Sequence, residues 1–265
     1  MSLELDERHV RMLEEFGIRW TLPVAAEPVV EELVEAAPVA AVAPVSIAAN
    51  AVPARPAAEF ASRPPVRAPL EPGPRPEGVA TMDWAALEAA VAGCRACKLC
   101  ATRRNTVFGV GDVQADWMIV GEAPGENEDL QGEPFVGQAG KLLDNMLGAL
   151  GMNRQRDVYI ANVLKCRPPG NRNPEPDEVA QCEPFLRRQV ELVQPRVILA
   201  MGRFAVQTLL QSTEPIGKLR GRLHAYNGVP VVVTYHPAYL LRNLPDKAKA
   251  WADLCMARAA LQARS

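Results

Sequence analysis

Four cysteines are the residues whose type and spacing most directly suggest chemistry. Cys94 and Cys97 form a Cys-x-x-Cys pair, and Cys166 and Cys182 follow later with fifteen residues between them. Four thiolates contributed from two places suit a zinc ion or an iron–sulfur cluster, because both take soft sulfur ligands. The alternative is a redox-active pair with two core cysteines. The arrangement predicts a metal centre without separating zinc from iron–sulfur, and Cys100 could replace one of the ligands.

The stretch Gly121–Leu143 is a second candidate for chemistry. It contains five glycines, two prolines and five carboxylates. It follows the apolar run Trp117–Val120, which predicts a buried parallel strand, and it leads into a helix that begins near Gly137. Simple connections in such folds usually need only about two to six residues, and ligands bind at the carboxyl ends of parallel strands. This stretch is therefore predicted to be the floor of an active site.

The elements that must position these residues alternate between strand and helix. Such alternation predicts a parallel sheet that is covered by helices on both faces. Besides Trp117–Val120, the predicted strands are Val158–Leu164, Arg196–Met201 and Val229–Tyr235. Besides the helix that begins near Gly137, the predicted helices are Met82–Ala92, Asp177–Val193, Phe204–Leu210 and Asp246–Leu261.

The amino-terminal third has a different composition. Residues 21–80 hold twelve of the 24 prolines, and Phe60 is their only aromatic residue. So little apolar bulk predicts a disordered, Ala- and Pro-rich linker, because burial could not offset the entropy of ordering. Residues 1–20 are predicted to form a short amphipathic helix, a candidate docking element for a protein partner. The globular domain is expected over residues 82–265.

Charge and targeting signals limit the classes of partner. Residues 1–81 carry 7 basic and 12 acidic side chains, for a net charge of −5, whereas residues 82–265 carry 22 and 19, for +3. The mildly basic domain gives weak support for a nucleic-acid partner. The sequence has no recognisable secretory or membrane-spanning segment, so a reducing, cytoplasmic location without membrane contact is expected.

Several longer motifs occur in a specific order. They include the segments Gly121-Glu-Ala-Pro-Gly125, Glu128-Asp129, Gly132-Glu-Pro-Phe-Val-Gly137, Ala139-Gly140, Asn162-Val-Leu-Lys-Cys-Arg-Pro-Pro169 and His236-Pro-Ala-Tyr-Leu-Leu-Arg242. From about Cys94 to Arg258 the chain resembles the family-four uracil-DNA glycosylases, the iron–sulfur members of their superfamily. The resemblance implies a three-layer α/β/α fold with a four-stranded parallel sheet. It also implies a 4Fe-4S cluster on Cys94, Cys97, Cys166 and Cys182, with zinc as the alternative.

The activity implied by this resemblance is the hydrolysis of the N-glycosidic bond of deoxyuridine in DNA, as in base excision repair. Phe135 resembles the residue that stacks on the extruded base. Asn162 resembles the residue that reads uracil, because its amide matches N3–H and O4 whereas cytosine presents the reverse pattern. His236 resembles the histidine that faces O2, where negative charge builds as the bond breaks.

The group that handles the attacking water is less clearly indicated. Glu122 is the first choice for positioning water or stabilising the sugar cation, and Glu128 is the second. Some other families of the superfamily have an aspartate where this chain has Ala123, which we also expect to contact the substrate. No lysine is clearly placed for Schiff-base lyase chemistry, so a monofunctional glycosylase is expected, with Lys165 as the residue that the sequence leaves open for that chemistry.

Contacts to DNA are expected from two further places. The segment after Cys166 offers Arg167 and Arg172 as donors to phosphates. Leu240, Leu241 and Arg242 resemble an intercalation loop, in which an apolar side chain fills the gap left by the base. The expected partner is uracil-containing DNA, bound by a monomer associated with a bacterial or archaeal nucleoid.

Two other interpretations stay open from the sequence. One is a non-catalytic DNA-binding or replication-associated module of the same fold. The other is a zinc-dependent nucleotide-binding protein, which would be colourless, whereas an iron–sulfur protein is brown.

Overall fold

A computed structural model of the chain describes residues 72–263. The predicted helix over residues 1–20 and nearly all of the predicted linker over residues 21–80 lie outside the described residues. Within residues 72–263, no helix is long and apolar enough to cross a membrane.

A six-stranded mixed sheet forms the centre of the fold, with strand order β1-β3-β2-β4-β6-β5. The four inner strands are parallel, and the two edge strands are antiparallel to their neighbours. The strands are β1 (Val110–Gly111), β2 (Trp117–Gly121), β3 (Val158–Asn162), β4 (Val197–Met201), β5 (Leu223–Tyr226) and β6 (Val229–Thr234). The predicted four-stranded parallel sheet is thus confirmed as the centre of a larger sheet.

The two edge strands were missed by sequence reasoning for a physical reason. Strand β1 has only two residues, and β5 alternates between exposed and half-buried positions without a buried face. Neither segment carries the apolar run or the hydrophobic alternation that marks a strand in sequence. The inner strands β2, β3 and β4 are buried along their whole length, which is why their apolar runs were recognisable.

Helices cover both faces of the sheet. They are α1 (Trp84–Gly93), α2 (Glu126–Gln131), α3 (Gln138–Ala149), α4 (Pro176–Val193), α5 (Arg203–Leu210), α6 (Ile216–Leu219), α7 (Pro237–Leu240) and α8 (Lys247–Gln262). One hydrophobic core joins the sheet to α1, α4 and α5, and a second core joins its other face to α3, α7 and α8. The three-layer α/β/α arrangement is therefore confirmed, while the short helix α2, inside the glycine-rich stretch, was not expected.

The parallel register brings the carboxyl ends of the inner strands to one edge. Gly121, the last residue of β2, lies opposite Asn162, the last residue of β3. Strand β4 pairs with β6 up to Met201 and Thr234. The loops that follow these four strand ends consequently meet at one place, as expected for a ligand site in an open α/β sheet.

Candidate active site and a cysteine-lined cavity

A cavity of about 730 Å³ lies at this edge of the sheet. It is lined by residues that come from the loops after β2, β3, β4 and β6. All six residues predicted to contact or act on the substrate lie on its wall, namely Glu122, Ala123, Glu128, Phe135, Asn162 and His236. The cavity thus brings together side chains that are more than 110 positions apart in sequence.

Phe135 is held in an unusual backbone conformation. It has a φ of 54°, in the left-handed region that a residue with a side chain rarely adopts. Arg154 stabilises this turn, since its guanidinium donates hydrogen bonds to the carbonyl oxygens of Phe135 (2.9 Å) and Pro134 (2.7 Å). Arg154 also pairs with Asp144 at 3.2 Å. Sequence reasoning missed Arg154, because it lies outside every recognised motif.

Two glycines let the backbone and the ring of Phe135 approach their neighbours. A Cβ atom on Gly121 would lie 2.3 Å from Oδ1 of Asn162 and 2.6 Å from the ring of Phe135. A Cβ atom on Gly140 would lie only 1.8 Å from the carbonyl oxygen of Phe135. None of these three distances is sterically allowed, so both positions require glycine for the pocket to keep its shape.

Asn162 presents a polar group without a partner. The residue is only 2% exposed, and its side-chain Oδ1 has no hydrogen-bond partner in the described part of the chain. An unsatisfied buried acceptor costs about 1–3 kcal/mol, so one on a cavity wall is a candidate partner for a ligand. The amide of Asn162 lies on the wall of the cavity beside the ring of Phe135. A planar ring that enters this space can therefore stack and form hydrogen bonds at the same time.

His236 is oriented by its own helix. Its Nδ1 accepts a hydrogen bond from the N–H of Ala238 (3.1 Å) and so caps the first turn of α7. In the neutral ring this leaves the proton on Nε2, which becomes the donor. The ring stacks on Phe135, with centroids 5.4 Å apart and an angle of 27° between the planes. Burial lowers the pKa of His236 to about 4, against an opposing effect of Glu128.

This low pKa leads to a prediction that NMR can check. The chain has only three histidines, His9, His224 and His236, so each ring gives a resolvable signal. We expect the His236 signal, identified by its loss in His236→Gln, to remain that of a neutral ring from pH 8 down to about pH 5, because its pKa is about 4. A midpoint near 6.5 for this signal would contradict the neutral-donor assignment.

The same shift has a consequence for stability. The pKa of His236 is lower in the folded state than the unfolded value of about 6.5. The contribution of His236 to the free energy of unfolding is therefore complete above pH 6.5 and is lost as the pH falls toward 4. The wild-type protein should therefore lose more unfolding free energy than His236→Gln over this interval, as measured by denaturant titration.

The two candidate carboxylates differ in their surroundings. Glu122 accepts a hydrogen bond from the N–H of Phe204 at the start of α5 (2.9 Å). Burial raises the pKa of Glu122, partly offset by this N–H and by Arg203. Glu128 instead accepts hydrogen bonds from three backbone N–H groups, those of Gly125 (3.0 Å), Val136 (2.9 Å) and Gly137 (3.0 Å). Glu128 thus holds the loop together through these hydrogen bonds, while the carboxylate of Glu122 is more available to a substrate or a water molecule.

The two arginines predicted to contact phosphates make protein contacts. Arg172 pairs with Glu178, which is 1% exposed in its side chain, at the start of α4. Its guanidinium is therefore largely committed to holding the segment after Cys166. Arg167 donates to Asn171 (2.7 Å) and lies 3.6 Å from Glu126. These two contacts are exposed and weak, so Arg167 is the more available of the two donors.

The predicted intercalation loop is divided between core and surface. Leu240 is 0% exposed and belongs to the second core, whereas Leu241 is 42% exposed. A side chain that packs into the core cannot enter a base stack without unfolding α7. Leu240 therefore has a packing role here, which corrects its assignment as a DNA contact, and Leu241 is the side chain available as a wedge. Arg242 is exposed and lines the cavity.

The four predicted metal ligands meet at a second, smaller cavity. Cys94, Cys97, Cys166 and Cys182 line one small cavity, together with Cys100 and Arg103. Among residues 72–263, no three Cys, His, Asp or Glu side chains stand in a formed metal-binding geometry. Two N–H donors are directed at the sulfurs: Arg103 donates to Cys166 (3.0 Å), and the backbone N–H of Lys165 donates to Cys182 (3.3 Å).

The donor set of this cavity fits an anionic metal–thiolate group. Soft sulfur ligands with N–H donors aimed at them are the surroundings expected for zinc or an iron–sulfur cluster. Burial raises the pKa of Cys166 to about 11 and that of Cys182 to about 12, so metal binding here must release protons. Cys100 lies in the same cavity, and spacing alone did not decide between it and the other four.

Lys165 lies between the two sites and does not line the large cavity. Its ammonium is buried and donates to Asn162 and Gln189 within the protein. A buried amine that does not face the large cavity is poorly placed for Schiff-base chemistry.

Comparison with known proteins places these features in a family. Residues 108–255 match the profile of the Uracil DNA glycosylase superfamily. A type-4 uracil-DNA glycosylase from Saccharolobus solfataricus is 44% identical over 180 residues, which are 64% of this chain and 83% of that protein. Type-4 uracil-DNA glycosylases from Archaeoglobus fulgidus and Thermotoga maritima are 47% and 46% identical, over 57% and 59% of this chain and 79% and 82% of their own lengths.

Proposed function

The chain belongs to the uracil DNA glycosylase superfamily, alongside its type-4 members, and we infer that it removes uracil from DNA by hydrolysing the N-glycosidic bond. The products are free uracil and an abasic site, as in DNA repair. One observation of the site supports this reading above the others. The buried, unpartnered amide oxygen of Asn162 lies on the same cavity wall as the stacked rings of Phe135 and His236.

Recognition of the base follows from the hydrogen-bonding groups of Asn162. Its Oδ1 accepts N3–H of uracil, and its Nδ2 donates to O4, while Phe135 covers one face of the ring. Cytosine offers an acceptor at N3 and a donor at C4. The Asn162 amide would therefore place its acceptor against the donor-free N3 and its own donor against the amino group. Because both partners are buried, the mismatch leaves unpaired polar groups, which is the strongest form of discrimination available to such a site.

Cleavage of the glycosidic bond requires stabilisation of the negative charge that develops on the base. As the C1′–N1 bond breaks, electrons move onto the base, and an N–H donor close to O2 stabilises the resulting anion. The Nε2–H of neutral His236 suits this role, because Nδ1 is already occupied by Ala238. The neutral state also avoids placing a second charge in the pocket before the reaction. We assign the attacking water to Glu122, whose carboxylate also stabilises the positive charge on the sugar.

Extrusion of the nucleotide leaves a gap in the base stack. Leu241, exposed on the turn that follows His236, is the apolar side chain available to fill it. Arg242 lines the cavity, and Arg167 donates to Asn171 on the cavity wall, so we place both near the flanking phosphates. Arg172 also lines the cavity, and its pairing with Glu178 holds the segment after Cys166. We further propose that the domain works as a monomer, which light scattering with and without DNA would test.

We assign a 4Fe-4S cluster to Cys94, Cys97, Cys166 and Cys182. When bound, it supplies an anionic cross-link between the Cys-x-x-Cys segment and both ends of the segment that carries Arg167 and Arg172. Every step of the reaction described above belongs to side chains of the other cavity. Zinc in the same position would supply the same cross-link.

Metal analysis separates these alternatives. Protein purified without oxygen should be brown and contain iron and acid-labile sulfide in equal amounts, and Cys166→Ala or Cys182→Ala should lose most of both. Cys255→Ala is the matched control, because Cys255 lies in α8 outside the cysteine-lined cavity. Retention of iron in Cys100→Ala is expected. A colourless protein with stoichiometric zinc would overturn the iron–sulfur assignment.

The activity is tested with a single-stranded oligonucleotide that contains one uracil, followed by hot alkali to cleave abasic sites. Cleavage at uracil but not at cytosine or thymine in the same position is expected. The competing proposal, a non-catalytic DNA-binding module, predicts retention of the oligonucleotide without cleavage. That outcome, from protein with a full complement of metal, would refute the enzyme assignment.

A further inference from the structure

Lys165 is a fully buried cation between the uracil pocket and the cysteine-lined cavity. Only 1% of the residue is exposed. Its Nζ donates to the carbonyl oxygen of Asn162 (2.7 Å) and to Oε1 of Gln189 (2.6 Å). Both acceptors are neutral, so neither balances the charge of the ammonium. A buried, uncompensated charge is costly, and its position calls for a compensating partner.

Gln189 fixes the position of this ammonium. It is 0% exposed, and its Nε2 donates to the carbonyl oxygen of Phe108 (2.9 Å) and to the hydroxyl of Tyr159 (3.0 Å). The network thus joins α4, β3 and the segment before β1 through groups that are all satisfied. A satisfied buried network holds its members rigidly, so Gln189 fixes the Lys165 amine in its position beside the carbonyl oxygen of Asn162.

The cysteines next to Lys165 can supply the compensating charge. The backbone N–H of Lys165 donates to the sulfur of Cys182 (3.3 Å), and Cys166 is the next residue in the chain. Burial lowers the pKa of the Lys165 ammonium to about 8, and Cys182 and Cys166 oppose this shift. Thiolates that hold a metal centre carry net negative charge, which would balance the buried ammonium. The same ammonium holds the carbonyl of Asn162, the last residue of β3 and the residue that reads the base.

We propose that Lys165 is a positioning residue that couples the cysteine-lined cavity to uracil recognition, by holding the carboxyl end of β3 and with it the amide of Asn162. The proposal rests on the proposed function. It assigns to the metal centre a role beyond cross-linking, because the thiolates stabilise the cation that fixes the base-reading residue.

A double-mutant cycle tests this coupling. Lys165→Met keeps the length and apolar volume of the side chain but removes its charge and its donors. We expect Lys165→Met to lower kcat/KM for uracil by about 10- to 100-fold, the usual effect of a displaced binding group. In an Asn162→Ala background the same change should cost less than about twofold, since the group that it positions is gone. Single-turnover assays with excess enzyme make the slow variants measurable, and iron content is matched between samples.

Equal losses in both backgrounds would overturn the proposal, because they would mean that Lys165 supports the protein in general. An unchanged kcat/KM in Lys165→Met would also overturn it. If Lys165→Met fails to fold or to hold iron, Gln189→Met replaces it in the cycle. That variant keeps the Lys165 amine and removes one of its two acceptors. Its loss of kcat/KM should likewise be large with Asn162 present and less than about twofold in the Asn162→Ala background.

A second readout does not depend on activity. Hydrogen–deuterium exchange should be faster at residues 158–164 in Lys165→Met than in the wild type, while residues 197–201 of the neighbouring strand β4 exchange as before. Unchanged exchange at residues 158–164 would contradict the proposal. If the wild-type protein excised no uracil, the proposed function would fail, yet this measurement would still decide whether Lys165 anchors the end of β3.

Discussion

Asn162→Asp is expected to lower kcat/KM for uracil excision by about 10²- to 10³-fold, the range seen when a buried donor to a developing anion is removed. A carboxylate at this position has no N–H to offer O4, and its negative charge opposes the charge that builds on the base. The effect should be large because Asn162 is buried and its Oδ1 has no other partner.

The same variant should change the choice of base. The ionised carboxylate can only accept, so it can still pair with the amino group of cytosine but not with O4 of uracil, and the fraction that burial keeps protonated can also donate its O–H to N3 of cytosine. The uracil-to-cytosine ratio of kcat/KM should therefore fall, as measured by single-turnover assays on paired oligonucleotides.

Asn173→Asp is the matched control for this experiment. Asn173 lines the same cavity but is exposed at its rim, so the substitution adds the same charge without touching the base-reading position. Its effect on uracil excision should stay within about tenfold, as expected for a screened surface charge. Asn162→Asp with wild-type activity and selectivity would remove Asn162 from the site.

Gly140→Ala should damage both stability and catalysis. The added methyl group would lie 1.8 Å from the carbonyl oxygen of Phe135, so either helix α3 or the turn at Phe135 must shift. Overpacking of this kind costs about 1–3 kcal/mol of unfolding free energy, and here it acts on backbone that cannot rotate away. A displacement of about 1 Å at the stacking ring should lower kcat by about 10²-fold or more.

Gly148→Ala provides the control on the same helix. A Cβ atom on Gly148 has no neighbour within 4 Å. The change should therefore leave activity intact and raise stability by about 0.5–1 kcal/mol, since alanine is the better helix former. Thermal and denaturant unfolding, together with single-turnover rates, distinguish the two variants. Similar stability and rates for both alanines would contradict the close approach at Gly140.

Much of the site could be predicted because its residues lie in contiguous motifs at strand ends. Glu122 directly follows β2, Asn162 ends β3, and His236 follows β6. The apolar runs of the buried strands predicted where these strands end, and the alternation of strands and helices predicted that the ends lie at one edge of the sheet. The spacing of the cysteines predicted a metal centre in the same way, and the family resemblance selected four of the five cysteines that line the second cavity.

Other features depend on side-chain geometry that spacing does not encode. Arg154 reaches the turn at Phe135 from nineteen residues away, so no local pattern indicated it. Leu240 and Leu241 are identical in type and adjacent, and only the packing of α7 decides which one is buried. Lys165 stayed open as a nucleophile in the sequence, because a motif does not show where a long side chain places its amine.

The single helical turn of α7 links the orientation of His236 to that of Leu241. His236 uses one nitrogen to start this turn, and Leu241 immediately follows its end. The tautomer of the imidazole and the direction of the wedge therefore depend on the same few backbone hydrogen bonds. Fraying of that turn would therefore disturb both the donor that we propose at Nε2 of His236 and the wedge that we propose at Leu241.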